Sequence, residues 1–128
     1  HDIKTMRAFA KHVSENRDKL VFLVEDLIHK GKKVVAVSAP AKGMTLLNYC
    51  GFTARQIPFV TEKARLKIGR FTPGGHIPIV SDEVLLKEQP DYAILLAWNF
   101  SKEIVLNLKP FSDKGGKFII PIPEHHII

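Results

Sequence analysis

Cysteine, long apolar runs and recognisable catalytic motifs are all scarce in this sequence. With one cysteine, Cys50, the chain forms no internal disulfide and contains no CxxC metal motif. The longest unbroken apolar run, 93–98, is far below the roughly 20 residues that a membrane span needs. The chain begins at His1 without a charged and then apolar leader, so we expect a cytoplasmic protein without an intact signal peptide.

The 128 residues are enough for one domain, and 45% of them are hydrophobic, which excludes a disordered chain. The net charge of +6 is unevenly placed. Residues 34–70 carry six basic side chains and one acidic side chain, whereas residues 71–128 carry five basic and seven acidic ones. The middle third therefore favours a negatively charged ligand, either nucleic acid or a phosphorylated small molecule.

Apolar periodicity predicts alternating helices and strands. A long amphipathic helix is predicted over Met6–His29, a short one over Met44–Cys50, one from an N-cap at Ser81 to Lys87, and one over Lys102–Leu108 with Ser101 as its cap. Strands are predicted over Lys33–Ser38, Ile57–Val60, Ile77–Val80, Tyr92–Ala97 and Lys117–Ile122. This alternation predicts a Rossmann-like, three-layer α/β/α domain with a mostly parallel sheet of about five strands.

Ligands of such open sheets bind at the carboxyl ends of the strands, where strand order reverses. The segment after the first strand, 38–45, is rich in small residues and leads into a helix, whose exposed N–H groups attract anions. Lys42 adds a positive charge there. The segment matches neither the dinucleotide fingerprint nor the P-loop, so an ordinary strand–helix turn with a solvated lysine stands equally as an alternative.

Other candidates have structural alternatives of the same kind. His76 follows a Pro-Gly-Gly turn, where it either donates to a ligand or only packs the loop. Trp98 and Asn99 follow a buried strand, where they either contact a base or sugar or cap the core. The pair His125–His126 lacks a third ligand nearby, and Cys50 is interpreted as a buried apolar residue. The candidate substrate-binding residues are Lys42, Gly43, Thr45, Asn48, Arg70, His76, Trp98 and Asn99; no catalytic residue is identified.

Four segments resemble the C-terminal domain of the sugar C-methyltransferase family. The first is APAKGMTLLNYCG at 39–51, and the others follow in the family's order at 69–79, 90–100 and 115–123. The resemblance implies that 1–128 is one domain of a longer enzyme and binds substrate but is inactive alone. S-adenosylmethionine and zinc would be held by parts of the enzyme outside this chain, together with the catalytic base.

The same resemblance implies a nucleotide-linked sugar as the ligand. Lys42 and Arg70 would meet its diphosphate, Thr45 and Asn48 would hydrogen-bond around it, and His76, Trp98 and Asn99 would line the sugar or base. Met44 stands where the family has Asn, and Val37-Ser38 stands where it has an aromatic residue and Gly. A stand-alone nucleotide-binding or nucleic-acid-binding module that uses the basic segment 55–70 remains the alternative.

Overall fold

The computed structural model describes residues 3–38, 41–63, 68–121 and 126–128. The side chains of 3–14, 41, 42, 99 and 126 are not described. Helices and strands alternate as expected. The helices are α1 (Ile3–His29), α2 (Ala41–Tyr49), α3 (Asp82–Glu88), α4 (Ser101–Asn107) and α5 (Lys109–Asp113), with a 3-10 turn at Trp98–Phe100; the strands are β1 (Val34–Val37), β2 (Val60–Glu62), β3 (Ile79–Ser81), β4 (Tyr92–Leu95), β5 (Lys117–Ile120) and β6 (His126–Ile127).

The six strands form one sheet in the order β3-β2-β1-β4-β5-β6. The first five strands are parallel to their neighbours, and β6 pairs antiparallel with β5. The central strands β1 and β4 are apolar and almost wholly buried, as expected of strands inside a parallel sheet that is covered on both faces. The predicted mostly parallel α/β sheet is therefore confirmed, and the short strand β6 is an addition to it.

Side-chain alternation divides the core into two layers. Val34 and Ala36 of β1 pack with Leu20, Val24 and Leu27 of α1 and with Leu47 of α2. Val35 and Val37 point to the opposite face, where they join a cluster supplied by α3, α4 and α5. Helices thus cover both faces of the sheet, which confirms the three-layer architecture. Among the described residues, no helix is long and apolar enough to cross a bilayer.

Several local predictions are wrong. The second helix begins at Ala41 rather than Met44, and the third strand begins at Ile79 rather than Ile77. The second strand begins at Val60 rather than Ile57, because Ile57 donates its N–H to the carbonyl of Thr53 in a turn that Thr53 and Gln56 close. Ser101 is the first residue of α4 and not its cap; Phe100 precedes the helix and no side chain caps it. The cap at Ser81 is confirmed, since its hydroxyl accepts the N–H of Glu83 at 3.2 Å.

Candidate functional site

Strand order reverses between β1 and β4. From β1 the chain crosses to β2 on one side of the sheet, whereas from β4 it crosses to β5 on the other side. The connections therefore diverge at the carboxyl ends of β1 and β4, and a crevice opens between them. We call this the carboxyl edge: Ser38, the first turn of α2, the end of β2 and the turn after β4 lie along it.

Gly43 draws the beginning of α2 against the end of β4. It is buried, and a Cβ built on it would overlap the Cβ of Leu96 and lie 3.2 Å from the Leu96 carbonyl oxygen. Only a residue without a side chain permits this approach. The N–H groups of the first turn of α2, which have no partners within the helix, are consequently held at the crevice, where they favour an anion. Lys42 belongs to this turn.

The end of β2 brings two charged residues to the same edge. Val37 pairs with Thr61 in parallel register, so Ser38 and Glu62 are level on adjacent strands. The Glu62 Oε1 accepts the N–H of Lys63 at 2.9 Å, and Lys63 is exposed. From the sequence, Glu62 is the acid that could bind a ribose after the second strand, but neither it nor Lys63 stands among the candidate residues above, and the strand was predicted to end two residues early. The signal that would have placed the strand correctly is the turn at Thr53–Gln56, which separates Ile57 from the strand.

Ser38 has a left-handed backbone conformation, with φ 59°. This region is favourable for glycine and unfavourable for serine. The chain therefore adopts a turn conformation here that its residue type disfavours. The last residue before the crevice is therefore constrained by its surroundings rather than by its own preference.

Trp98 and Asn99 form a 3-10 turn immediately after the carboxyl end of β4. Trp98 is half-buried and packs against the core cluster on the α3–α5 face. Its contact with the core agrees with a capping role, and the ring is partly exposed. Asn99 shares the turn, and its side chain lies outside the described part of the structure.

Arg70 lies at the far border of the sheet. Its carbonyl accepts the N–H of Ile79 at 2.8 Å, which places its backbone beside β3. The strand order then puts three interstrand spacings, about 14 Å, between that backbone and β1. Arg70 is exposed. The structure does not bring it into the crevice with the first turn of α2.

Asn48 and His76 lie at the opposite end of the strands, which we call the amino edge. The helix α2 begins where β1 ends and runs back antiparallel to it, so Asn48 in its last turn is at the amino edge. A Cβ on Gly74 would come within 2.7 Å of the Asn48 Oδ1, which places the 73–76 turn beside this residue. His76 is exposed there, with φ 53°. Thr45 is exposed one turn nearer to the carboxyl edge.

The sequence matches the model of a known family over residues 1–123, and this model describes the C-methyltransferase C-terminal domain. The chain belongs to this family. It is also similar to a curated protein, C-methyltransferase NovU from Streptomyces niveus, with 42% identity over 122 residues. That match covers 95% of this chain and 29% of NovU, so the chain spans less than a third of the relative's length.

In this C-methyltransferase C-terminal domain, two of the four segments that resemble the family lie at opposite edges of the sheet. The 39–51 segment begins at the carboxyl edge, whereas the 69–79 segment forms a hairpin that ends in a turn at the amino edge. The hairpin is closed by Thr72, whose buried hydroxyl accepts the N–H of Ile77 at 3.0 Å. Only the first segment borders the crevice, so similarity to the family does not by itself assign both segments to one ligand.

The basic segment 55–70 offers little for stacking on nucleic-acid bases. Phe59 is only 7% exposed and belongs to the core, whereas Phe71 is exposed. Residues 64–67, which include Arg65 and Lys67, lie outside the described residues. A nucleic-acid surface combines basic residues with several exposed aromatic rings, and the described part of this segment supplies one ring at its border.

Cys50 follows the last residue of α2 and lies at the opposite end of this helix from the crevice. Burial raises the pKa of the half-buried Cys50 thiol from 9.0 to about 11, an effect that the nearby positive charge of Arg17 opposes. The thiol is consequently neutral at physiological pH and is not an activated nucleophile. Among the residues that the structure describes, no three His, Cys, Asp or Glu side chains gather into a metal site.

Proposed function

We propose that this chain is the substrate-binding domain of an S-adenosylmethionine-dependent C-methyltransferase and that its ligand is a nucleotide-linked sugar. The observation that carries the proposal is the contact between Gly43 and Leu96, because it holds the amino end of α2 at the point where strand order reverses. Membership of the C-methyltransferase C-terminal domain family supports the general activity of the longer enzyme.

The diphosphate of the ligand would bind at the first turn of α2. The partial positive charge of a helix amino end and its unpaired N–H groups favour a phosphate. Lys42 belongs to this turn, and Lys63 is exposed at the adjacent end of β2. They are two of the six basic side chains that the sequence concentrates in its middle third.

The sugar and base would lie along the ends of β2 and β4. A carboxylate at the end of the second strand is well placed to accept hydrogen bonds from ribose hydroxyls, and Glu62 occupies that position. The exposed part of Trp98 offers an aromatic surface on the other side of the crevice, beside Asn99. This arrangement keeps the candidates at the carboxyl edge and does not use Arg70, Asn48 or His76.

S-adenosylmethionine, which would supply the methyl group, fits this crevice poorly. Its sulfonium gives it a net positive charge, which Lys42 and Lys63 would repel. We propose that the cofactor, the zinc and the catalytic base belong to the remainder of the enzyme, and that this chain binds substrate without transferring a methyl group.

Calorimetric titration with a nucleoside diphosphate tests the proposal. Lys42→Ala should weaken binding by about 1.5–3 kcal/mol, or about 10- to 150-fold, because it removes a charge-assisted hydrogen bond. Its unfolding free energy should change by less than about 0.5 kcal/mol if the lysine serves the ligand rather than the fold. Lys32→Ala is the matched control, since the exposed Lys32 precedes β1 at the amino edge and carries the same charge. Equal weakening in both variants would refute the assignment.

A further inference from the structure

Phe100 exposes a large aromatic ring at the carboxyl edge. It is 60% exposed, whereas Phe52, Phe111 and Phe118 are almost wholly buried. Single exposed apolar side chains are common on protein surfaces, so exposure alone assigns no function to this ring. Its function depends on where the ring lies and on what its position does for the helix that follows.

The turn that carries Phe100 begins at the wall of the crevice. Leu96 is the residue that Gly43 approaches, and the next residue, Ala97, accepts the N–H of Phe100 at 2.9 Å. A turn closed by such a bond keeps its end Cα atoms within about 7 Å, and adjacent Cα atoms are about 3.8 Å apart. The Cα of Phe100 is therefore within about 11 Å of the Cα of Leu96, on the β4 side of the crevice.

Trp98 and Phe100 point in different directions from this turn. A 3-10 helix has three residues per turn, so successive side chains are about 120° apart. Trp98 packs against the core cluster on the α3–α5 face, and Phe100 is directed away from that core, which accounts for its exposure. Trp98 thus holds the turn in place, and the ring that is most accessible to a ligand is that of Phe100.

Phe100 also occupies a position that favours a different type of residue. It directly precedes α4, and its side chain forms no cap hydrogen bond. Ser, Thr, Asp and Asn stabilise a helix from this position, because their side chains accept an N–H of the first turn. Phenylalanine gives up that stabilisation and places an apolar ring in solvent. Residues that break local rules of stability are expected where binding or catalysis uses them.

We propose that the Phe100 ring stacks on the nucleobase of the ligand, an inference that rests on the function proposed above. With the diphosphate at the first turn of α2, the base would lie on the β4 side of the crevice, where Phe100 extends the aromatic surface that Trp98 offers. Every base has a π-face, so stacking raises the affinity for a nucleotide without selecting one base. Phe100 would therefore bind the nucleotide part of the ligand and leave the choice of sugar to other residues.

Calorimetric titration with nucleoside diphosphates and with inorganic pyrophosphate tests the stacking. Phe100→Asn should weaken binding of uridine diphosphate and adenosine diphosphate alike by about 5- to 150-fold, the equivalent of one lost stack. The affinity for pyrophosphate, which has no base, should stay within about twofold. Phe100→Tyr keeps the ring and should keep all three affinities. Leu106→Asn is the matched control, because Leu106 is 72% exposed within α4 and should change none of them.

Urea unfolding separates a role of the ring in binding from a role in folding. Phe100→Asn should raise the urea midpoint, because asparagine caps a helix and phenylalanine does not. A lower midpoint with equal loss of nucleoside diphosphate and pyrophosphate binding would show that the ring is structural.

Two further outcomes distinguish this inference from the proposed function. Unchanged nucleoside diphosphate affinity in Phe100→Asn, or equal affinity of the unmodified chain for nucleoside diphosphates and pyrophosphate, would overturn the stacking role alone. If the unmodified chain bound none of these ligands, the proposed function would fail together with the stacking role.

Discussion

At both the carboxyl edge and the amino edge of the sheet a glycine allows close packing of the backbone, but the consequence differs between the two edges. At the carboxyl edge, Gly43 lets a helix beginning lie against Leu96. At the amino edge, Gly75 lets a turn lie against Phe52, where an added Cβ would come within 2.5 Å of the Phe52 carbonyl oxygen. The first contact brings unpaired N–H groups to a crevice, whereas the second closes a hairpin. A close approach of the backbone therefore indicates a binding region only where backbone N–H groups without hydrogen-bond partners lie beside it.

The largest expected effect comes from Gly43→Ala at the carboxyl edge. In an isolated helix this change stabilises by about 1 kcal/mol, because alanine is the better helix former. Here the new methyl group would overlap Leu96, and we expect the free energy of unfolding to fall by about 1–3 kcal/mol. Binding of a nucleoside diphosphate should weaken as well, since the beginning of α2 must move.

Urea unfolding and calorimetric titration measure the two effects of Gly43→Ala. Lys32→Ala again serves as the control, because Lys32 is exposed at the amino edge and lies outside α2. A Gly43→Ala variant that is more stable than the unmodified chain would show that α2 does not need the close approach.

Gly75→Ala should produce a loss confined to stability. The added Cβ would press on backbone at Phe52 rather than on a flexible side chain, and we expect the free energy of unfolding to fall by about 1–2 kcal/mol. Nucleoside diphosphate affinity should stay within about twofold for the folded variant. If affinity fell as much as it does for Gly43→Ala, the two edges would not be functionally distinct.

His76→Asn should have the smallest effect. Asparagine tolerates the left-handed backbone that His76 adopts, so the unfolding free energy should change by less than about 0.5 kcal/mol. Because His76 lies at the amino edge, the affinity for a nucleoside diphosphate should also be unchanged in the same titration. A clear loss of affinity in a variant with unchanged stability would place His76 in the binding site after all.

The sheet and its two helical layers follow from the sequence because apolar periodicity is strong over the long elements. The limits of β2 do not, since Ile57 and Phe59 are apolar on either side of Pro58 and the local turn decides which residues join the sheet. That error placed Glu62 and Lys63 in a loop rather than at the end of the strand. Local hydrogen bonds between Thr53 and Gln56, rather than hydrophobicity, fix the strand.

The site could be predicted only in part for a related reason. The strand–helix segment at 38–45 is placed by topology alone, so Lys42 and Gly43 can be proposed without knowledge of tertiary contacts. The edge on which a side chain lies depends on where its element begins and how far it runs. Asn48 shares a segment with Lys42 yet lies at the other end of the helix, and no residue pattern reveals that the hairpin turns beside it.

The most direct test of the account is a map of backbone amide shifts by NMR during titration with a nucleoside diphosphate and, separately, with S-adenosylmethionine. The account predicts that the diphosphate shifts amides at the carboxyl edge, among them Ser38, Lys42, Glu62 and Trp98, more than S-adenosylmethionine does. The amide resonances of the 73–76 turn at the amino edge should not shift. Larger shifts at 73–76 than at the carboxyl edge, or stronger shifts of 38–45 with S-adenosylmethionine, would contradict it.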